Sequence, residues 1–178
     1  MSVTVYHLEL TERSAFTPSR QAARYRLEQV TAPSADFLRF LYSATGSNWH
    51  WVDRAPWTDQ RWLARQAEAG VEIWVAREGG APLGYFELAW QEPSTVEIVY
   101  FGLLPHAVGT GQGGVLLGAA INRAWEMGAS RVYVNTCTLD HPKALANYQA
   151  RGFRAVRTEV RRRDVPVDAP GPWDGALP

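Results

Sequence analysis

Four glycines in quick succession, Gly109, Gly111, Gly113 and Gly114, follow directly on an apolar run that breaks at Pro105. The run from Val96 to Leu104 is rich in β-branched and aromatic residues and too short for a helix of its own, so it reads as a buried strand. The glycines allow positive φ and let a ligand approach with no Cβ in the way. From Val115 onward, Leu116, Leu117, Ala120, Ile121 and Ala124 share one helical face, while Asn122, Arg123 and Glu126 point elsewhere. A helix that opens on such a turn presents unpaired N–H groups and the positive end of its dipole. That combination is an anion site, and the expected anion is a phosphate.

Gly109-x-Gly111-x-x-Gly114 matches the dinucleotide-binding fingerprint in form but not in context. That fingerprint needs an acidic residue about 20 positions on, at the end of the next strand, and the strand expected at Arg131 to Thr136 ends in Asn135 and Thr136. Too little chain follows to build the second half of such a domain. A nucleoside-triphosphate loop is excluded because no Gly-Lys-Ser or Gly-Lys-Thr follows.

The same residues resemble the GNAT superfamily of acyl-CoA-dependent N-acetyltransferases. Its central motif, Gln or Arg, then two residues, Gly, one residue, Gly or Ala and a helix with paired leucines, is similar to His106, Gly109, Gly111, Gly113, Gly114, Leu116 and Leu117. A second signature, a small-residue helix ending in Tyr and then Gly-Phe, is similar to Ala144 through Tyr148 with Gly152 and Phe153. The two signatures stand in the family's order with one strand between them. His106 departs from the pattern, and the resemblance implies that much of the motif's phosphate binding comes from backbone N–H groups. The resemblance implies an α/β GNAT fold with a mixed, mostly antiparallel sheet splayed at its centre and helices on both faces.

Length and composition agree with a single domain over residues 1–178, with 164–178 as an extended tail. The chain of 178 residues is long enough for a sizeable core, and its 46% hydrophobic and 20% charged residues argue against disorder. Eighteen basic residues balance eighteen acidic ones, which argues against a nucleic-acid partner. Cys137 is the only cysteine, so no internal disulfide forms; it reads as a small buried residue at a strand end. No signal pattern and no apolar run of bilayer length is visible, so a cytoplasmic protein without a membrane partner is expected.

Read in order, Val3 to Leu10 alternates as a strand and Arg24 to Val30 as a second, expected antiparallel to the first. Ser34 or Asp36 caps a helix that ends near Gly46, and a further helix runs from Asp59 to about Ala69. Val71 to Ala76 and Leu83 to Trp90 form a hairpin ahead of the glycine-associated strand. Asp140 or His141 is expected to cap a short helix, and Phe153 to Arg161 to form the last strand. Half of the eight tryptophans fall between Trp49 and Trp62.

Acyl transfer from a thioester to an amine needs a placed thioester, a base, an oxyanion donor and an acid for the leaving thiolate. The resemblance implies acetyl-CoA as cofactor, lying against Phe101, Gly102 and Leu103 on the strand and His106, Val108, Gly109, Thr110, Gly111, Gln112, Gly113 and Gly114 in the turn. Asn135, His141, Ala144 and Tyr148 complete that set, with His141 read equally well as a helix cap. The N–H groups of Phe101 and Leu103 would face the thioester and pantetheine. Glu97, flanked by Val96 and Ile98, is the first choice of base, acting directly or through water, against a structural glutamate paired with arginine. Glu87 is the second. Tyr148 stands where the family has the tyrosine that protonates the thiolate, and its plain alternative is a packed surface tyrosine. No metal is expected.

The acceptor site is expected in the loop after the first helix. Trp49, Trp51 and Trp57, with Asp53 or Glu87, suit a cationic amine held by cation–π contact, and His50 is a further candidate base; the same tryptophans suit plain core packing. The expected activity is direct acetylation of a small-molecule primary amine. Two alternatives stand beside it: an acyl-CoA-binding sensor without turnover, and a protein N-terminal or lysine acetyltransferase. A homodimer through the tail and the last strand is a further expectation, since many family members are dimers.

Overall fold

The computed structural model describes residues 1–172; the end of the expected tail, 173–178, lies outside the described residues. Seven strands, β1 (Ser2–Leu10), β2 (Arg26–Gln29), β3 (Val71–Glu78), β4 (Ala81–Gln91), β5 (Thr95–Leu103), β6 (Arg131–Cys137) and β7 (Arg154–Arg162), form one sheet in the order β2-β3-β4-β5-β6-β1-β7. Every neighbouring pair is antiparallel except β5 and β6.

Helices cover both faces. On one, α1 (Ala35–Gly46) and α2 (Asp59–Gln66) bring Leu38, Leu41, Tyr42 and Trp62 onto Ile73, Val75 and Tyr85. On the other, α3 (Gln112–Glu126) and α4 (Ala144–Ala150) bury Leu116, Leu117, Ile121 and Tyr148 against Leu8, Leu10, Phe86, Leu88, Val96 and Ile98. Each such aliphatic side chain contributes roughly 1.5–3 kcal/mol of transfer free energy, so α3 is fixed firmly beneath the centre of the sheet. The hydroxyls of Ser34 and Thr58 accept from the N–H of Phe37 and Arg61 and start α1 and α2.

Strand β1 departs from expectation. It does not pair with β2, which lies at the opposite edge, but slots between β6 and β7, with His7 opposite both Asn135 and Arg157. Alternation specifies which face a strand buries and not which strand lies beside it. The connection from β1 to β2 therefore crosses α3 as a strap. It is anchored by Gln112, whose side chain accepts from Arg24 N at 3.0 Å and donates to Ala22 O at 3.1 Å.

Three helix ends also differ from the expected ones. α3 begins inside the glycine run, so only Gly109 (φ 84°) and Gly111 (φ 82°) need the left-handed region, while Gly113 and Gly114 form its first turn. α2 stops at Gln66, ahead of Ala69. α4 starts after Lys143 without a side-chain cap. Asp140 is engaged elsewhere, accepting from Thr136 Oγ1 and Cys137 N, and His141 Nδ1 accepts from Lys143 N.

Candidate active site

Strands β5 and β6 pair over three residues only, Thr95 with Arg131, Val96 with Val132 and Glu97 with Tyr133. Beyond Glu97 they diverge. On its other edge β5 carries a bulge: Leu88 pairs with Ile98 and Glu87 with Tyr100, which leaves Val99 as the extra residue. A bulge bends its strand and redirects the side chains that follow. The facing edges of Ile98–Leu103 and Val134–Cys137 consequently carry ladder groups with no strand between them, free to bond an extended amide chain.

A cavity of about 720 Å³ fills the splay. At one end are Val108, Gly109, Gly111, Gly113 and Gly114; along it run Phe101, Gly102, Leu103, Asn135, Ala144 and Tyr148; beyond lie Glu97, Tyr100, Trp49, Trp51 and Asp53. The phosphate turn and the expected base thus share one space. The N-cap of α3 is Gly111, which has no side chain to bond the first-turn N–H groups, so the positive end of the helix stays open to a ligand. An open helix end, a strand splay with free backbone and a cavity of this size fit an acyl-CoA.

Glu97 is half-buried, and its one hydrogen bond among the described residues comes from Gln91 Nε2 at 3.3 Å. Burial pushes its carboxyl above the ordinary range; the charge of Arg65 pulls the other way and that of Glu87 adds to the rise. Tyr148 is buried, with its ring edge-on to Phe101 (6.1 Å) and Phe153 (5.8 Å). Burial raises its phenol well above the usual value, with the charge of Asp140 adding to it, so it holds its proton at neutral pH. Cys137 lines the cavity half-buried, and burial raises its thiol first, with Asp140 second. Burial of this kind disfavours the thiolate, the nucleophilic form of a cysteine.

Six expected site residues stand away from the cavity wall. Glu87 is 1% exposed and held by Arg54 through both carboxylate oxygens (2.5 and 2.8 Å) and by Arg65 Nε at 2.8 Å, so its oxygens are engaged by arginines away from the cavity wall. Trp57 packs on Trp62 and against the guanidinium groups of Arg54 and Arg61, each 4.5 Å from its ring centroid. His50 adopts a left-handed backbone (φ 58°) and its Nε2 lies 3.4 Å from Val167 O. His106 is exposed on the turn after β5, Thr110 Oγ1 closes that turn on Ala107 O at 2.7 Å, and Gln112 faces the strap.

Sequence reasoning did not single out Thr45, Tyr100, Lys143, Asn147 or Arg163, all on the cavity wall. Tyr100 follows the bulge on β5, and Arg163 comes to the wall because β7 ends beside the loop after α1, where it pairs with Asp53 at 2.5 Å. Thr45 Oγ1 is buried with no partner among the described residues, a polar point beside Trp51 and Tyr100. Two contacts join lining residues of the 47–57 loop to others on the cavity wall: Trp49 edge-on to His141 (4.9 Å) and Asp53 to Arg163.

The acetyltransferase (GNAT) family model matches residues 35–153, about two thirds of the chain. The chain belongs to the GNAT acetyltransferase family. The match takes in the splay, the phosphate turn and α4, and leaves β1, β2 and β7 outside it. Its fold is similar to that of GCN5-related N-acetyltransferases from Sphaerobacter thermophilus (TM-score 0.67, 15% identity, 89% of this chain and 50% of that one) and Kribbella flavida (0.60, 17%, 94% and 58%). It is also similar to a Bacillus subtilis acetyltransferase solved in complex with CoA (0.54, 26%, 73% and 76%). The chain spans only 50% and 58% of the length of the first two. No curated protein matches it in sequence. Among the described residues no helix is long and apolar enough to cross a membrane.

Proposed function

We propose that this GNAT protein moves an acetyl group from acetyl-CoA to the primary amine of a small molecule by direct transfer. The observation that carries the reading is the single cavity lined at one end by the Gly109–Gly114 turn and at the other by Glu97 and an aromatic wall. The thioester supplies an acyl group already activated for attack.

The protein's own groups then have distinct tasks. Glu97, its carboxyl raised by burial, takes the proton from the acceptor ammonium, directly or through water. The N–H groups of Phe101 and Leu103 face the splay as donors for the thioester and pantetheine oxygens, fixed dipoles that need no reorganisation. Tyr148, protonated at neutral pH, donates to the departing sulfur. The Cys137 thiol takes no part, which supports direct attack over an acetyl-cysteine route.

The acceptor half of the cavity is bounded by contacts between its own lining residues, Trp49 to His141 and Asp53 to Arg163, which favours a small acceptor over a polypeptide. Trp51 and Tyr100, with centroids 4.8 Å apart, form the wall on which an apolar or cationic acceptor rests. The test is thiol release from acetyl-CoA against a panel of small amines with peptides alongside, on the wild type and on Glu97→Gln. Turnover on a small amine that collapses in Glu97→Gln supports the reading. Turnover on peptides alone, or CoA binding without turnover on any acceptor, overturns it in favour of a protein acetyltransferase or a sensor.

A further inference from the structure

The first turn of α3 has a positively charged neighbour, Arg151, which stands inside the Tyr148-to-Phe153 signature. An Nη of Arg151 lies 2.6 Å from where a Cβ on Gly114 would stand, so the guanidinium rests against the helix in the room that glycine leaves. No carboxylate among the described residues lies within ion-pair distance of Arg151, and its Nε is buried without a partner.

That arrangement is unfavourable as it stands. The N-terminal end of a helix is positive and favours anions, while cations belong at the other end. Here an unpaired arginine and an uncapped helix N-terminus meet with nothing negative between them. A phosphate between them satisfies both at once, because the guanidinium fork matches phosphate oxygens in two-pronged geometry.

The fold holds the arginine there on purpose-built backbone. Arg151 is the C-cap of α4; its N–H donates to Tyr148 O at 3.0 Å and its carbonyl accepts from Thr17 N of the strap at 3.3 Å. Gly152 follows with φ 102° and with Ala15 O packed where a Cβ would be. Asn147 Nδ2 donates to Gly113 O at 3.4 Å and ties α4 to the same first turn. The position that the family motif gives to Gln or Arg is here His106, exposed on the turn; neither it nor Arg151 lines the cavity, but Arg151 abuts Gly114, which does.

We propose that Arg151 is the side chain that shares the cofactor's pyrophosphate with the first turn of α3, approaching from α4 in place of the motif position held by His106. The inference rests on the acyl-CoA reading above and concerns how this chain binds the donor.

Calorimetric titration of CoA, dephospho-CoA and pantetheine into the wild type, Arg151→Gln and Arg151→Lys tests it without any acceptor. Arg151→Gln should weaken CoA and dephospho-CoA alike by roughly 10- to 100-fold, the scale of a lost charge-assisted hydrogen-bond pair. Arg151→Lys should recover part of the loss, and pantetheine, which lacks phosphates, should bind all three proteins equally. Unchanged CoA affinity in Arg151→Gln overturns the proposal. A loss seen with CoA but not dephospho-CoA overturns the pyrophosphate assignment in favour of the 3′-phosphate, and an equal loss with pantetheine overturns it in favour of a structural role. A wild type that binds no CoA at all would instead sink the functional reading on which the proposal rests.

Discussion

Arg54 and Glu87 are joined by two hydrogen bonds of 2.5 and 2.8 Å, with the guanidinium lying 4.5 Å from the ring centroids of both Trp57 and Tyr100. The aromatic box after α1 is therefore partly filled by the protein's own cation. Burial works against the charge on Arg54, and its bonds to Glu87 more than offset that, so its pKa is raised.

Removing one charge from this buried cluster strands the others, so Glu87→Gln should lower unfolding free energy by about 3–5 kcal/mol. Chemical denaturation reads this directly. An unchanged midpoint together with an altered acceptor KM would return Glu87 to the substrate site.

This cluster also shows where sequence reading stops. The strand–turn–helix at Val96 to Ala124 and the Tyr148-to-Phe153 signature are local patterns, fixed by periodicity and by glycine, and their elements form where expected apart from shifted ends. Whether a tryptophan box takes a ligand or an arginine from the same loop depends on which way Arg54 turns, and composition is silent on that. The bulge at Val99 changes the register that sets Tyr100 opposite Glu87, and a one-residue bulge leaves no mark in an unbroken apolar run. The neighbours of β1, and the meeting of Arg151 with Gly114 or of Arg163 with Asp53, depend on pairings between distant segments that no single stretch records.

Glu97 should trade stability for chemistry. Its folded pKa is raised, so the ionised form is disfavoured in the native state: the cost is present above the folded pKa and vanishes below the ordinary carboxylate range, where both states are protonated. Glu97→Gln should therefore raise Tm at pH 7–8 while losing roughly 10²- to 10⁴-fold in kcat/KM. Its Tm advantage should shrink as pH falls and be gone below about pH 4. The wild-type rate should rise with pH along an acid limb lying above the usual carboxylate pKa. A Tm for Glu97→Gln below wild type at neutral pH would contradict this account.

Gly102 sets how closely α1 approaches β5. A Cβ there would sit 2.5 Å from Thr45 Cγ2, a methyl on a buried, β-branched side chain that cannot swing aside. Gly102→Ala should cost about 1–3 kcal/mol by overpacking. Adding Thr45→Ser, which deletes that methyl and keeps the hydroxyl, should recover most of the loss. Additive effects in the double variant would mean that the two sites do not share the contact.

The Tyr148 ring is held by Phe101 and Phe153, so Tyr148→Phe keeps the packing and removes only the hydroxyl. Tm and CoA affinity should stay within error of wild type while kcat falls by roughly 10²- to 10⁴-fold, the usual worth of a general acid. The dependence on the leaving group separates that role from a loss of positioning. A thiol of lower pKa departs without help from a proton, so the penalty should shrink when the acyl donor is a thioester of a more acidic CoA analogue and remain full with acetyl-CoA. Equal penalties with both donors would show that the hydroxyl orients the thioester and does not protonate the departing sulfur.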